Sequence, residues 1–86
     1  MFKLDGKVII ITGGAGFLGE KHAEAIAQNG GIPILLDLNK DRIDEVTSKI
    51  KDLYSVNSIG ISVDITNEQE INSAVSKIIR KFSKIN

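Results

Sequence analysis

Twelve consecutive residues decide the fold of this chain: Val8-Ile9-Ile10-Ile11-Thr12-Gly13-Gly14-Ala15-Gly16-Phe17-Leu18-Gly19. The first five are β-branched and do not alternate apolar with polar, a pattern typical of a parallel strand that is buried on both faces. The glycines follow, and a helical stretch then runs from about Phe17 to Asn29. Spaced glycines between a strand and a helix are the arrangement that binds a pyrophosphate in dinucleotide-binding folds.

The glycine-rich turn has a predicted role at each glycine. Gly13 lets the backbone turn sharply as it leaves the strand, and Gly16 leaves the main chain open to a close pyrophosphate. Gly19 allows the helix to pack tightly against the sheet. The unpaired amides at the helix start point at the phosphates, with the positive end of the helix dipole behind them. The residues of this turn that we expect to contact a cofactor are Gly13, Ala15, Gly16, Phe17 and Leu18.

A second strand–helix unit follows the first. Its apolar run, Ile32-Pro33-Ile34-Leu35-Leu36-Asp37, ends on a carboxylate. The helix after it has Glu45 and Lys49 at the i, i+4 spacing of an ion pair, which we expect on its exposed side. A three-four-three spacing predicts that four apolar residues lie on one face of this helix: Ile43, Val46, Ile50 and Leu53.

The third unit begins with the run Ile59-Gly60-Ile61-Ser62-Val63-Asp64, which is more alternating, as expected for a strand near a sheet edge. Thr66 and Gln69 are spaced as a capping box and predict that Thr66 starts the last helix. This helix has a wide apolar stripe from Ile71 to Ile85. The width predicts that it buries much of its circumference, or two separate faces.

The three units together predict the fold class. Right-handed crossovers between successive strands give a parallel sheet in the order 3-2-1, with three helices. This is an α/β arrangement, half of a Rossmann-like doubly wound fold. Because the sequence contains no linker, repeat or low-complexity tract, we expect residues 1–86 to form a single, partial dinucleotide-binding domain.

Asp37 decides which dinucleotide is expected. It lies 18 residues after Gly19, at the carboxyl end of the second strand, where a carboxylate accepts hydrogen bonds from the ribose hydroxyls of the adenosine. The same charge repels a 2′-phosphate, and neither Leu38 nor Asn39 offers a cation to hold one. The first basic residue is Lys40, at the entrance to the helix. The sequence therefore predicts NAD rather than NADP.

The composition argues against several other kinds of partner. Eleven basic and eleven acidic residues give a formal net charge of zero, so we expect no binding to nucleic acid or to an anionic membrane. The absence of cysteine excludes disulfides and cysteine-ligated metals, and no metal site is expected. No apolar run approaches the length of a signal peptide or the roughly 20 residues of a membrane span. We expect a cytoplasmic protein.

Four segments form a recognisable set: Gly6–Gly13, the Thr-Gly-x-x-Gly-x-x-Gly pattern at Thr12–Gly19, Leu36-Asp37-Leu38-Asn39, and Val63-Asp64-Ile65-Thr66. Together they resemble the N-terminal part of the short-chain dehydrogenase/reductase family, over the whole chain. The resemblance implies that Asp64 hydrogen-bonds the adenine amino group and that the backbone of Ile65 lies beside the base. The position of Gly16 and Phe17 resembles the longer, sugar-nucleotide-modifying branch, whereas Asp64-Ile65-Thr66 resembles the shorter one, so the subgroup and the substrate stay open.

The resemblance also implies an activity. Enzymes of this family pass a hydride between an alcohol or carbonyl substrate and the nicotinamide, and they use a Tyr-x-x-x-Lys pair, a serine and an asparagine for catalysis. The only tyrosine here is Tyr54, and Ser58 rather than a lysine stands four residues after it. We therefore expect that residues 1–86 contain no catalytic residue and that this chain alone transfers no hydride.

Two other functions stay open. The first is a catalytically inert nucleotide-binding or assembly module that uses the same turn. The second is a methyl transferase with a similar first half, although its turn usually follows an acid rather than Thr12.

The first strand also bears on self-association. The run Val8–Thr12 contains no charge or proline to protect it as a sheet edge. We therefore expect a homo-oligomer that forms through this first strand or through the last helix.

Overall fold

Strands and helices alternate along the whole chain. A computed structural model describes residues 4–13 and 16–83. The elements in chain order are β1 (Val8–Thr12), α1 (Phe17–Gln28), β2 (Ile32–Asp37), α2 (Lys40–Tyr54), β3 (Ile59–Ser62) and α3 (Glu68–Phe82). The predicted α/β architecture with three strands and three helices is confirmed.

The three strands form one parallel sheet in which β2 lies between β1 and β3. Seen from the β3 edge, the strands follow in the order 3-2-1. At the carboxyl end of the sheet, Thr12 is paired with Leu36, and Asp37 is paired with Ser62. Because parallel strands all end at the same edge, the segments that follow β1, β2 and β3 start from neighbouring positions.

Helices cover both faces of the sheet. Leu35 of β2 packs on one face against α1 and α2, whereas its neighbours Ile34 and Leu36 pack on the other face against α3. This division follows from the two-residue period of a strand, which sends adjacent side chains to opposite faces. All three of these residues are buried, as expected for a central strand of a parallel sheet. Within the described residues, 4–13 and 16–83, no helix is both long enough and apolar enough to cross a bilayer.

Two predictions about α2 are wrong. Leu53 is 59% exposed, because Thr47 completes the buried face and the stripe follows the tighter spacing 43-46-47-50. The expected partner of Lys49 also differs. Its ammonium group contacts Glu20 and Glu24 of α1 rather than Glu45. Spacing along one helix does not reveal a partner that a second helix supplies.

The start of α3 lies one residue later than the spacing of Thr66 and Gln69 predicts. Asn67 is the N-cap, and its Oδ1 accepts a hydrogen bond of 3.1 Å from the amide of Glu70. The Thr66 hydroxyl does not cap the helix and instead donates to Asp64 Oδ1, before the helix, at 2.6 Å. The competing local hydrogen bond therefore moves the helix start.

The apolar stripe of α3 is buried along only part of its width. Ala74 and Ile78 are fully covered, and Ile71 and Phe82 are partly covered. Ile79 is 46% exposed. Ile85, the last residue of the predicted stripe, lies outside the described residues.

Candidate dinucleotide-binding site

Hydrogen bonds tie the three strands together where they end. The amide of Gly13, just after β1, donates to the carbonyl oxygen of Leu36 at 2.8 Å. The amide of Val63, just after β3, donates to the carbonyl oxygen of Asp37 at 2.9 Å. The glycine-rich turn and the residues that follow β3 are therefore both anchored to the end of β2.

A cavity of about 120 Å³ lies at this edge of the sheet and is lined by Gly13, Asp37, Leu38 and Ile65. Gly13, Asp37 and Ile65 are predicted site residues that are far apart in the sequence. Pockets that enclose a whole ligand typically measure about 300–1,000 Å³, so this cavity has room for one part of a dinucleotide. Sequence reasoning missed Leu38 as a lining residue. Its signal is an apolar side chain directly after the acid that ends the strand.

Gly13 and Gly16 are glycines for different reasons. Gly13 has φ +70°, in the left-handed region that side chains rarely adopt, so the backbone itself requires glycine there. Gly16 has φ −75° and ψ 165°, an extended conformation open to any residue. Among the described residues, the nearest atom to a Cβ built at Gly16 is the carbonyl oxygen of Gly13, 3.5 Å away, which is an ordinary contact. No described residue comes closer than an ordinary contact to a side chain at Gly16, and this fits the close approach of a phosphate.

The first turn of α1 has amides that precede the helical hydrogen-bond ladder. Gly16 is the N-cap and supplies no side-chain cap, and the first helical bond runs from the amide of Glu20 to the carbonyl oxygen of Gly16, at 2.9 Å. The amides of Phe17, Leu18 and Gly19 come before it. Phe17 is 74% and Leu18 is 66% exposed. Such a helix start attracts anions. Ala15, another predicted site residue of this turn, lies outside the described residues.

Asp37 is held in place at the end of β2. The residue is half-buried, and its Oδ1 accepts a hydrogen bond of 3.1 Å from the amide of Asn39. Asn39, not Asp37, caps α2, since Asn39 Oδ1 accepts from the amide of Arg42 at 3.0 Å. The carboxylate of Asp37 is therefore oriented by the loop beside the cavity rather than used as a helix cap.

Asp64 has a local structural contact. Its Oδ1 accepts hydrogen bonds from the hydroxyl of Thr66 at 2.6 Å and from the amide of Thr66 at 2.9 Å. The hydroxyl contact first, and then the amide contact, hold the pKa of the Asp64 carboxyl below its usual value. The carboxylate therefore stabilises the turn after β3, and this turn places the next residue, Ile65, at the cavity.

A larger cavity, of about 350 Å³, lies between β3 and α3. None of the predicted site residues lines it. Its wall combines apolar residues with polar side chains of α3 and its N-cap, among them Asn67, Gln69, Glu70, Ser73 and Lys77. Its size alone does not mark it as the site, because it lacks both a glycine-rich turn and a strand-ending acid. Within the described ranges, no group of three or more histidine, aspartate or glutamate side chains is placed to hold a metal ion.

The family of the chain follows from comparison with known proteins. A family model described as short chain dehydrogenase matches residues 7–86. The chain belongs to this family. The predicted resemblance is confirmed, and the match includes the glycine-rich turn, Asp37 and the Asp64-Ile65-Thr66 segment.

Individual known proteins are similar to this chain over almost its whole length. The post-translational flagellin modification protein A of Campylobacter coli is 29% identical over 82 residues, which are 95% of this chain and 32% of that protein. NAD+-bound xylitol dehydrogenase has a TM-score of 0.93 at 28% identity, over 99% of this chain and 32% of that structure. L-sorbose reductase from Gluconobacter frateurii, in complex with NADPH and L-sorbose, has a TM-score of 0.91 at 25% identity, over 96% of this chain and 32% of that structure. The chain thus spans about a third of the length of these relatives.

Proposed function

We propose that this chain binds the adenosine and pyrophosphate of NAD and forms the cofactor-binding portion of an oxidoreductase. One arrangement carries the proposal: an uncapped helix start at Gly16 and the carboxylate of Asp37 both follow strands that end at the same edge of the sheet. The amides of the turn suit a pyrophosphate, and the cavity lined by Asp37 and Ile65 suits the adenosine. The xylitol dehydrogenase that shares this fold was solved with NAD+ bound.

The preference for NAD over NADP rests on the surroundings of Asp37. A carboxylate at this position accepts hydrogen bonds from both ribose hydroxyls and repels a 2′-phosphate. Leu38 is exposed and apolar, and it offers no charge to a phosphate. The ammonium group of Lys40, the first cation after Asp37, is 2.7 Å from Asp44 one turn along α2. Lys40 is thus paired along α2 with Asp44, and the two residues between Asp37 and Lys40 carry no positive charge for a 2′-phosphate.

Titration of the chain with NAD and with NADP tests this proposal. We expect NAD to bind more tightly, and Asp37→Ala to narrow the difference by about 1.5–3 kcal/mol, the value of a hydrogen bond to a charged group. NMR titration measures both affinities even when binding is weak. Asp52→Ala is a matched control, because it removes an exposed carboxylate near the other end of α2. Equal affinities for the two cofactors in the unaltered chain would contradict the assignment of Asp37.

The activity that we propose for the complete enzyme is hydride transfer between an alcohol or carbonyl substrate and NAD. We propose that residues 1–86 alone do not catalyse this transfer. The one tyrosine hydroxyl, on Tyr54, accepts a hydrogen bond of 3.2 Å from Gln28. Ser58, four residues on, is fully buried and donates to the carbonyl oxygen of Pro33 at 2.6 Å. Both side chains have structural partners, and neither supplies the Tyr-x-x-x-Lys pair of the family.

A second proposal concerns assembly: the chain associates with copies of itself through β1 or α3. In the described part of the chain, β1 pairs with β2 alone, and its three isoleucines are only half-buried. An apolar strand edge of this kind favours pairing with another chain. We expect a dimer or larger assembly by light scattering, and we expect Ile10→Lys to weaken it. A folded, stable monomer at high protein concentration would contradict the proposal.

A further inference from the structure

An ion-pair cluster joins α1 to α2 beside the candidate site. Glu20, in the first turn of α1, is 8% exposed and is the one charged residue that is buried within residues 4–13 and 16–83. Its Oε1 accepts a hydrogen bond of 2.6 Å from Arg42 Nη2, and its Oε2 accepts one of 2.7 Å from Lys49 Nζ. Both carboxylate oxygens of Glu20, in α1, are thus bound by cations of α2.

The burial of Glu20 distinguishes this cluster from the surface ion pairs. Only 11% of its side chain is exposed, compared with 71% and 56% for Lys40 and Asp44. The hydrogen bond from Lys49, and then that from Arg42, lower the pKa of the Glu20 carboxyl although burial opposes them. Glu20 is therefore ionised at neutral pH. A buried charge is costly compared with an apolar side chain of similar size, and fixing one arrangement of elements is its best-attested use.

The contacts of Glu20 lead to both halves of the candidate site. On one side, the amide of Glu20 donates to the carbonyl oxygen of Gly16 and closes the first turn of α1. On the other side, Arg42 binds the carboxylate of Glu20 with its guanidinium, while its own amide donates to Asn39 Oδ1 at 3.0 Å. The amide of Asn39 then donates to Asp37 Oδ1 at 3.1 Å. A continuous path of hydrogen bonds therefore runs from the phosphate-binding turn to the ribose-binding acid.

We propose that Glu20 is a positioning residue that fixes, through Arg42, the distance between the start of α1 and the carboxylate of Asp37. This inference rests on the proposed function, because the two groups must contact one dinucleotide at the same time. Glu20 itself does not touch the ligand. Its effect is to set the spacing of the two groups before the ligand arrives, so that binding energy is not spent on moving α1 against α2.

The test compares two ligands of different length. NAD spans the turn and Asp37, whereas adenosine reaches only Asp37 and the cavity. We expect Glu20→Gln to weaken NAD binding by about fivefold or more while adenosine affinity changes less than about twofold, in line with the size of network effects on coupled sites. NMR titration measures both constants on the folded fraction of the chain. A residue that only stabilises the packing of α1 on α2 lowers the folded fraction and does not change the ratio of the two affinities.

Arg42 and Lys49 provide a matched pair of variants. Arg42→Met and Lys49→Met each remove one cation from Glu20, but only Arg42 continues the path to Asn39. We expect Arg42→Met to reduce NAD affinity several-fold more than Lys49→Met, although the change of charge is the same. This pair carries the test alone if Glu20→Gln does not fold. Lys51→Met, which removes the same charge at an exposed position of the same helix, is the control for a general effect of charge on α2.

Each outcome distinguishes the inference from the proposed function. If the unaltered chain binds neither NAD nor adenosine, the proposed function is wrong and the inference falls with it. If the unaltered chain binds NAD and the variants of Glu20 and Arg42 bind it equally well, only the inference is wrong. Equal losses for NAD and adenosine, or equal losses in Arg42→Met and Lys49→Met, also overturn the inference, since they indicate a role in stability or in net charge.

Discussion

The start of α1 differs from the starts of α2 and α3, although all three helices follow strands of the same parallel sheet. Asn39 caps α2 and Asn67 caps α3, each with a side-chain oxygen that accepts from the amide three residues later, at 3.0 and 3.1 Å. Gly16 starts α1 and has no side chain to use as a cap. The first amides of every helix lack an intrahelical partner. A side chain supplies one at α2 and α3, whereas no side chain does so at α1.

This difference indicates a role for the start of α1 beyond stability. A side-chain cap typically contributes about 1 kcal/mol, and glycine at the N-cap costs a few tenths relative to serine or asparagine. The backbone at Gly16 is extended and accepts any residue, so conformation does not explain why a capping residue is missing. A side chain would fill the space that a pyrophosphate needs. The chain omits a side-chain cap where a pyrophosphate is proposed, and it uses asparagine caps at the two helix starts where no phosphate is proposed.

The largest effect is expected from filling the space at Gly16. Gly16→Val places a branched side chain where we propose that the pyrophosphate binds. NAD binding should then be lost, because each hydrogen bond to the charged phosphates is worth about 1.5–3 kcal/mol. The fold should survive, because valine accepts an extended backbone. NMR titration and thermal unfolding measure the two properties.

Ala25→Val is the matched control for Gly16→Val, because it adds the same atoms to an exposed position of α1. It should leave NAD affinity unchanged. Unchanged NAD binding in Gly16→Val would refute the phosphate-binding role of the turn. An unfolded Gly16→Val variant would instead show that the backbone at this position requires glycine.

An intermediate effect is expected at the two capped helices. Asn39→Ala and Asn67→Ala should each lower the free energy of unfolding by about 1 kcal/mol, because each leaves a helix amide without its cap. Asn67→Ala should not change NAD affinity, since Asn67 lies at α3, away from the cavity lined by Gly13 and Asp37. Urea unfolding measures the stability. A loss below a few tenths of a kcal/mol in both variants would mean that the caps do not distinguish these helices from α1.

The smallest effect is expected from giving α1 the cap that it lacks. Gly16→Ser places a hydroxyl at the N-cap, and the chain should gain a few tenths of a kcal/mol in the free energy of unfolding. The extended backbone and the ordinary contact with Gly13 leave room for this side chain. Urea unfolding of the two chains side by side checks the change. A clear loss of stability would show that the start of α1 cannot accept a cap, and the contrast with α2 and α3 would then have a structural cause.

The sequence by itself determined the order of the elements and most of the site. The β-branched run at Val8–Thr12, the spaced glycines and the acid at Asp37 each act within a few residues, through allowed backbone angles and the two- and 3.6-residue periods. These local rules correctly predicted three parallel strands and three helices, and they selected Gly13 and Asp37. The resemblance to the family added Ile65, and the structure brings these three residues to one cavity.

Only the tertiary structure decided which side chains from different elements meet. Lys49 binds Glu20 rather than Glu45 because α1 lies against α2, and no spacing within α2 encodes that neighbour. Leu38 lines the cavity because β1 and β3 end on either side of β2. Periodicity fixes which face of an element is apolar, whereas the partner of each polar group depends on how separate elements pack, and that is settled only when the sheet and its helices assemble.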